Sequence, residues 1–210
     1  DVLDLTGGTG NIGLGSGSLG TGLTTGTDNV AIGENAGDAL TTGSDNTLAG
    51  DNAGGALTTG TDNIAIGSAA LDAEDTGARS VAIGSNALSA QNNDANNYNV
   101  AVGYNSGAAA TSGIRNNFYG AESGEALTTG DDNIAIGYQT LTSETAGNRS
   151  VAIGNNALDA QNSTTDTNMY NVAVGYAAGG SVTSGQFNVL IGGLAGDALN
   201  DADDNIAIGT

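Results

Sequence analysis

Arg79, Arg115 and Arg149 are the only basic residues in the chain, and each stands five residues ahead of a recurring glycine. The same position holds Tyr98, Tyr170 and Phe187, and elsewhere Asp28, Asp45, Asp62, Asp132 and Asp204. A column of guanidinium groups, carboxylates and rings supports two chemistries. Stacked on itself it relieves like-charge repulsion through ion pairs and cation–π contacts, each exposed contact being worth roughly 0.5–1 kcal/mol. Turned outward it is a charged, aromatic strip for a sugar or a protein receptor. Catalysis is a poor fit, because with no His, Cys or Lys only carboxylates remain as acid–base groups. A carboxylate pair would suit glycoside cleavage, but none stands out from the 23 acidic residues. The expectation is a non-enzymatic chain without a cofactor.

Two further groups of residues have the types that recognition uses. The longest insertions, at 92–97 and 163–169, precede Tyr98 and Tyr170 in equivalent places. Both are polar, with Asn93, Asp94 and Asn96 in one and Thr165, Asp166 and Asn168 in the other. Loops of this kind on a rigid scaffold often carry binding, although slack tolerated in a corner explains them equally well. Tyr104, Tyr138 and Tyr176, each directly after a recurring glycine, add stacking surface. A metal is not expected: the Gly-Gly-x-Gly-x-Asp calcium repeat is absent, and Asp-Asn pairs serve as turn residues.

The elements that must position these side chains are set by the glycines themselves. They fall at 15, 33, 50, 67, 84, 103, 120, 137, 154, 175, 192 and 209, most of them 17 residues apart. A fixed short period means stacked supersecondary units, none able to bury a face alone. With each glycine as position 0, position −4 is Asn ten times and Ser twice, −3 and −1 are mostly Val or Ile, and −2 is mostly Ala. Alternation of this sort reads as a strand. We expect Val and Ile to fill a narrow core and the flat Asn/Ala/Gly face to meet another chain. The asparagines (Asn29, Asn46, Asn63, Asn99, Asn133, Asn171, Asn188 and Asn205 among them) would hydrogen-bond from rung to rung. Thr-Thr-Gly and Asp-Asn turns leave room for two short strands and two corners per coil. The fold class expected is all-β, a parallel β-solenoid or β-roll of about twelve coils. At ~4.8 Å per rung, twelve coils give a rod on the order of 55–60 Å long.

A longer rhythm overlies the first. Coils carrying Gly at +4 and an apolar residue at +7 come in pairs, alternating with pairs that carry Leu at +4 and Glu or Gln at +7. Residues 61–90 and 131–160 agree at 19 of 30 positions, as duplication of a four-coil block would leave them. Two alternating ways of plugging one core would explain the trade. The whole chain, 1–210, reads as one solenoid domain: a half coil at 1–10, full coils over 11–204 and a half coil at 205–210. Half-coil ends fit either a slice of a longer fibre or subunits stacked head to tail. A chain opening at Asp1 reads as a mature or excised piece. Its formal charge of −20 argues against nucleic acid and anionic membranes as partners.

The motifs Ser80-Val-Ala-Ile-Gly84, Ser150-Val-Ala-Ile-Gly154 and Asn99-Val-Ala-Val-Gly103 resemble the head repeats of trimeric autotransporter adhesins. The 17-residue period with Thr-Thr-Gly and Asn-Ala-Leu elements is similar to the phage tail-fibre form of that repeat. The likeness covers residues 11–209. It implies a left-handed parallel β-roll, a homotrimer, and a place outside a cell or on a virion. The function it leads us to expect is rigid extension and surface attachment. The alternatives are a filament subunit polymerising head to tail and a module whose corner loops bind a host-surface glycan or protein.

Overall fold

Within each of two units, the three residues before a coil glycine pair with the same three residues one coil on, in a computed structural model that describes residues 3–4 and 9–210. The rest of the half coil expected at 1–10 lies outside the described residues. The chain is all-β, a parallel β-solenoid of about twelve coils, and divides into two compact units, Asp1–Tyr104 and Asn105–Thr210. In the first unit the strands are β1 (Leu3–Asp4), β2 (Ile12–Leu14), β3 (Val30–Ile32), β4 (Thr47–Ala49), β5 (Ile64–Ile66), β6 (Val81–Ile83) and β7 (Val100–Val102). From β2 to β7 they are parallel and in register, with Ile64 opposite Val81 and Ala65 opposite Ala82. β1 lies antiparallel on β2, Leu3 opposite Leu14.

The second unit repeats the plan. β8 (Asn117–Tyr119), β9 (Ile134–Ile136), β11 (Val151–Ile153), β13 (Val172–Val174), β14 (Val189–Ile191) and β15 (Ile206–Ile208) form its parallel sheet. A separate two-stranded sheet joins β10 (Gly147–Asn148) to β12 (Thr167–Asn168).

Strand alternation runs as the sequence pattern predicts, but with its faces exchanged. Ala31, Ala65, Ala82 and Ala101 are buried with Asn29, Asn46, Asn63 and Asn99, whereas Ile32 is 45% and Ile66 39% exposed. The second unit agrees, with Ala135, Ala152 and Ala173 inside and Ile136 and Ile191 outside. Val and Ile therefore do not fill the core, and the small-residue face is not free to meet another chain. The reason is space. Each coil is filled from its opposite wall, by Leu40, Leu57, Leu71 or Leu88 in the first unit and Leu127, Leu141 or Leu158 in the second, all essentially fully buried. That leaves room for a methyl group at −2. Leu48, Phe118 and Leu190 are the exceptions: each fills −2 in a coil that carries Gly at +4 (Gly54, Gly124 and Gly196), where an added Cβ would lie 2.4–2.9 Å from the large side chain. Close packing of this kind makes the two apolar anchors alternatives.

The two strands per coil expected from the sequence reduce to one in most coils, β10 and β12 being a second strand in theirs. The back half of each coil is a run of turns, in which non-glycine residues take left-handed conformations: Asn35, Asn52 and Asn86 at +2, and Leu71, Leu88, Leu141 and Leu158 at +4. The −5 column is left-handed too, including Arg79 (φ 63°), Tyr98 (φ 53°) and Phe187 (φ 59°). Such a conformation costs a bulky residue about 1–2 kcal/mol. Its return is a hydrogen bond directed to a neighbouring coil. The Asn52 N–H reaches the Glu34 carbonyl at 2.9 Å, that of Leu71 reaches Ala87 at 3.0 Å, and that of Arg79 reaches Thr61 at 3.1 Å. Leu194 sits at +2 with φ 61° and 51% exposure, where most coils use Asn or another polar residue. We expect Leu194→Asn to stabilise the second unit by about 0.5–1 kcal/mol, since Asn tolerates this region. A lower melting temperature in thermal denaturation would contradict that.

Candidate functional site: two equivalent corners

The buried asparagines form a directed ladder. Asn46 donates from its backbone N–H and from Nδ2 to Asn29 Oδ1, both at 3.0 Å, and Nδ2 also reaches the Gly60 carbonyl at 2.9 Å. Asn133 stands in the same relation to Asn116 and to Gly147, Asn188 to Asn171, and Asn205 to Asn188. Asn63 Oδ1 accepts from Ser80 N–H, and Asn133 Oδ1 from Ser150 N–H. At these two serines the side-chain ladder stops, and something else fills the space.

In the first unit that filling is a buried carboxylate–amide pair. Gln91 Nε2 donates to Glu74 Oε2 at 3.0 Å and to Ser80 Oγ at 2.8 Å, while Asn99 Nδ2 donates to Gln91 Oε1 at 2.8 Å. Glu74 also accepts from Asn97 Nδ2 at 2.9 Å and from the N–H of Gly77 at 2.8 Å. In the second unit Gln161 Nε2 donates to Glu144 Oε2 at 2.7 Å and to Ser150 Oγ at 3.1 Å, and Asn171 Nδ2 donates to Gln161 Oε1 at 2.8 Å. Glu144 Oε1 collects four backbone N–H groups, from Thr145, Ala146, Gly147 and Ser163, at 2.8–3.2 Å. Successive N–H groups closing on one oxygen make an anion nest. All of these Glu, Gln and Ser side chains are fully buried. Burial pushes the Glu74 carboxyl above its ordinary range, against the hydrogen bonds from Gln91, Gly77 and Asn93 that favour its charge. Its stabilising contribution is complete below the ordinary glutamate value and is lost as pH rises through the raised one.

These knots seat the insertions. Asn96 bridges back to Ala78, Thr76 Oγ1 donates to Asp94 Oδ1 at 2.6 Å, and Asn97, buried, holds Glu74. In the second unit Asn148 Nδ2 donates to Asp166 Oδ1 at 2.5 Å, Arg149 donates to Asn168 Oδ1, and Thr165 and Thr167 share a hydroxyl hydrogen bond of 2.9 Å. The loops are anchored at both ends.

The strip runs beside them. Arg79 lies over the Tyr98 ring and Arg149 over the Tyr170 ring, both at 5.9 Å, and Tyr170 stacks on Phe187 with centroids 5.3 Å apart. Tyr98, Tyr170 and Phe187 are nonetheless about half exposed. Arg79 pairs with Asp62 at 3.6 Å, and Asp132 stands between Arg115 (2.5 Å) and Arg149 (3.6 Å). The column is therefore a self-satisfied ladder whose ring faces and edges still meet solvent. Tyr104, Tyr138 and Tyr176 are exposed, and the Glu122 charge raises the Tyr138 hydroxyl.

The Arg115 hydrogen bond holds the Asp132 carboxyl below its ordinary range. That contribution is present above the ordinary aspartate value and is lost as pH falls through the lowered one, and exposure limits it to under about 1 kcal/mol. Arg115→Gln should return Asp132 to ordinary titration in carboxyl-carbon NMR, and an unchanged curve would reject the pairing as the cause.

Among the described residues no group of three or more acidic side chains is placed to hold a metal ion, and no helix is long and apolar enough to cross a membrane. The buried Glu74–Gln91 and Glu144–Gln161 pairs escaped the sequence reading, which placed those positions only as the polar half of the +4/+7 alternation. Their signal was present, since Ser replaces Asn at −4 only where Glu and Gln at +7 flank it. Compared with protein-family models, curated proteins and solved structures, the chain matches none.

Proposed function

We propose that this chain is a segment of an extracellular fibre, self-associating and non-enzymatic, that supplies rigid extension and surface attachment. The observation that carries the proposal is the outer face of the sheet in each unit. Positions −3 and −1 hold no charged residue in any coil, on a chain of net charge −20. Their Val and Ile side chains are half-buried to exposed in both units. An uncharged, mostly apolar surface on an otherwise acidic protein supports a contact face, and it lets like-charged copies meet without charge opposing charge. The resemblance to adhesin and tail-fibre repeats sets the expected assembly at three copies and the setting as a cell surface or virion.

Light scattering across a concentration series tests this. A fixed mass near three chains is expected, and Ile136→Glu on the outer face should reduce it while leaving the β-sheet circular dichroism intact. A monomer at all concentrations would sink the proposal. Mass climbing without limit would favour head-to-tail filaments instead. Attachment by the corners is the second reading, favoured by the exposed Tyr98, Tyr170 and Phe187 rings beside anchored loops.

A further inference from the structure

We propose that the corner of the second unit binds a neutral sugar residue, in a cavity between the 163–169 insertion and the coil that follows. This deepens the attachment half of the proposed function and rests on it. The cavity holds about 240 Å³ and is lined by Asn162, Thr164, Thr165, Ser184 and Gln186, with Met169 among its walls. That volume is below the roughly 300–1,000 Å³ of sites for drug-sized ligands, so it suits a single ring.

The lining chemistry selects the class. Hydroxyl and amide groups both donate and accept, which matches a ring carrying several hydroxyls. Met169, 1% exposed, is part of the wall and leaves the polar groups to meet the ligand. No charged residue lines the cavity, so neither an anion nor a metal cation finds its counter-charge there. The net charge of −20 further disfavours anionic sugars.

The site is also built to keep its shape. Ser163 N–H is held by buried Glu144, and Ser163 Oγ donates to the Thr165 carbonyl at 2.8 Å. The Phe187 N–H donates to the Met169 carbonyl at 2.9 Å and fixes the two coils to each other at the cavity. Met169 and Gln186, both lining residues, are followed directly by Tyr170 and Phe187, the stacked and half-exposed ring pair. The Tyr170 ring is taken up by Arg149 and Phe187, so a saccharide longer than one residue meets its exposed edge and hydroxyl rather than a free face. The equivalent insertion in the first unit is two residues shorter, its coil spacing being 19 residues against 21, so the proposal is confined to the second unit.

The test uses the whole chain with methyl glycosides of glucose, galactose, mannose and N-acetylglucosamine, and N-acetylneuraminic acid as the anionic control, read by saturation-transfer NMR and calorimetric titration. At least one neutral glycoside should saturate with a Kd on the order of 1 mM. Ser184→Trp, at an exposed rim position, should abolish binding by filling the cavity. Tyr170→Ala should weaken binding of the corresponding disaccharide roughly three- to tenfold. The proposal is overturned if no neutral glycoside saturates, if the anionic sugar binds as well as the neutral ones, or if binding survives the blocked cavity. Should Ser184→Trp disturb folding, Gln186→Leu decides, since it removes an amide at nearly constant volume and must weaken binding. Native mass separates the two proposals: a monomer that binds sugar would end the fibre reading alone, and an oligomer that binds none would end the sugar site alone.

Discussion

Glu144→Ala is expected to destabilise the Asn105–Thr210 unit by about 4 kcal/mol or more, the largest loss we anticipate from any single side chain. Its Oε1 is the shared acceptor for four backbone N–H groups, and its Oε2 accepts from Gln161. Removing it orphans several buried donors at about 1–3 kcal/mol each, less whatever water recovers. Glu144→Gln should cost only about 1–3 kcal/mol, because one oxygen still serves the four N–H groups while the new amide opposes the Gln161 amide. Hydrogen exchange would report the damage locally, with protection lost first at Gly147 and Ser163. Equal stability of the Ala and Gln variants would show that the carboxylate does not organise the corner.

Gly50→Ala should unfold most of the first unit under conditions where the wild type is intact. Gly50 has φ +142°, and a Cβ there would lie 2.4 Å from the Gly67 carbonyl oxygen and 2.5 Å from its carbon. Both obstacles are backbone of the next coil, so nothing can swing aside. Backbone strain and overpacking together put the cost at about 3–6 kcal/mol, a large part of a domain's typical stability. Gly22→Ala is the control, because its φ is not in the left-handed region and its nearest neighbours would be at 3.6–3.7 Å. That change should be neutral or slightly stabilising. Similar melting temperatures for the two variants would refute the column's steric role.

The period, the parallel pairing and the register of the strand before each glycine were legible because they follow from repetition alone, whereas the second strand expected in every coil is absent from most. Which face of the strand lies inside was not, since a period of two reports alternation without direction. The better guide was tolerance. Positions −3 and −1 accept Thr47, Ala49, Asn117 and Tyr119, a range no narrow core admits, whereas −4 is confined to Asn and Ser. The left-handed corners were half legible: Asp28 and Asn35 announce such a conformation, but Tyr98, Arg149 and Leu158 in the same geometry do not. There the direction of the N–H, set by the neighbouring coil, overrides the residue's own preference. At the candidate site the strip and the loops were named from sequence, and the Glu–Gln knots that hold them were not, because a polar residue in a turn ordinarily reads as solvated.

The asparagine ladder has a sense of direction: each Oδ1 accepts from the coil that comes later in the chain. A coil thus presents oxygen on one side and N–H on the other, like a building brick with studs above and sockets below. Any block of whole coils copied into the gene arrives already oriented, and its seams need no new chemistry. Length then becomes a quantity that selection can adjust in steps of ~4.8 Å, by recombination and without redesign.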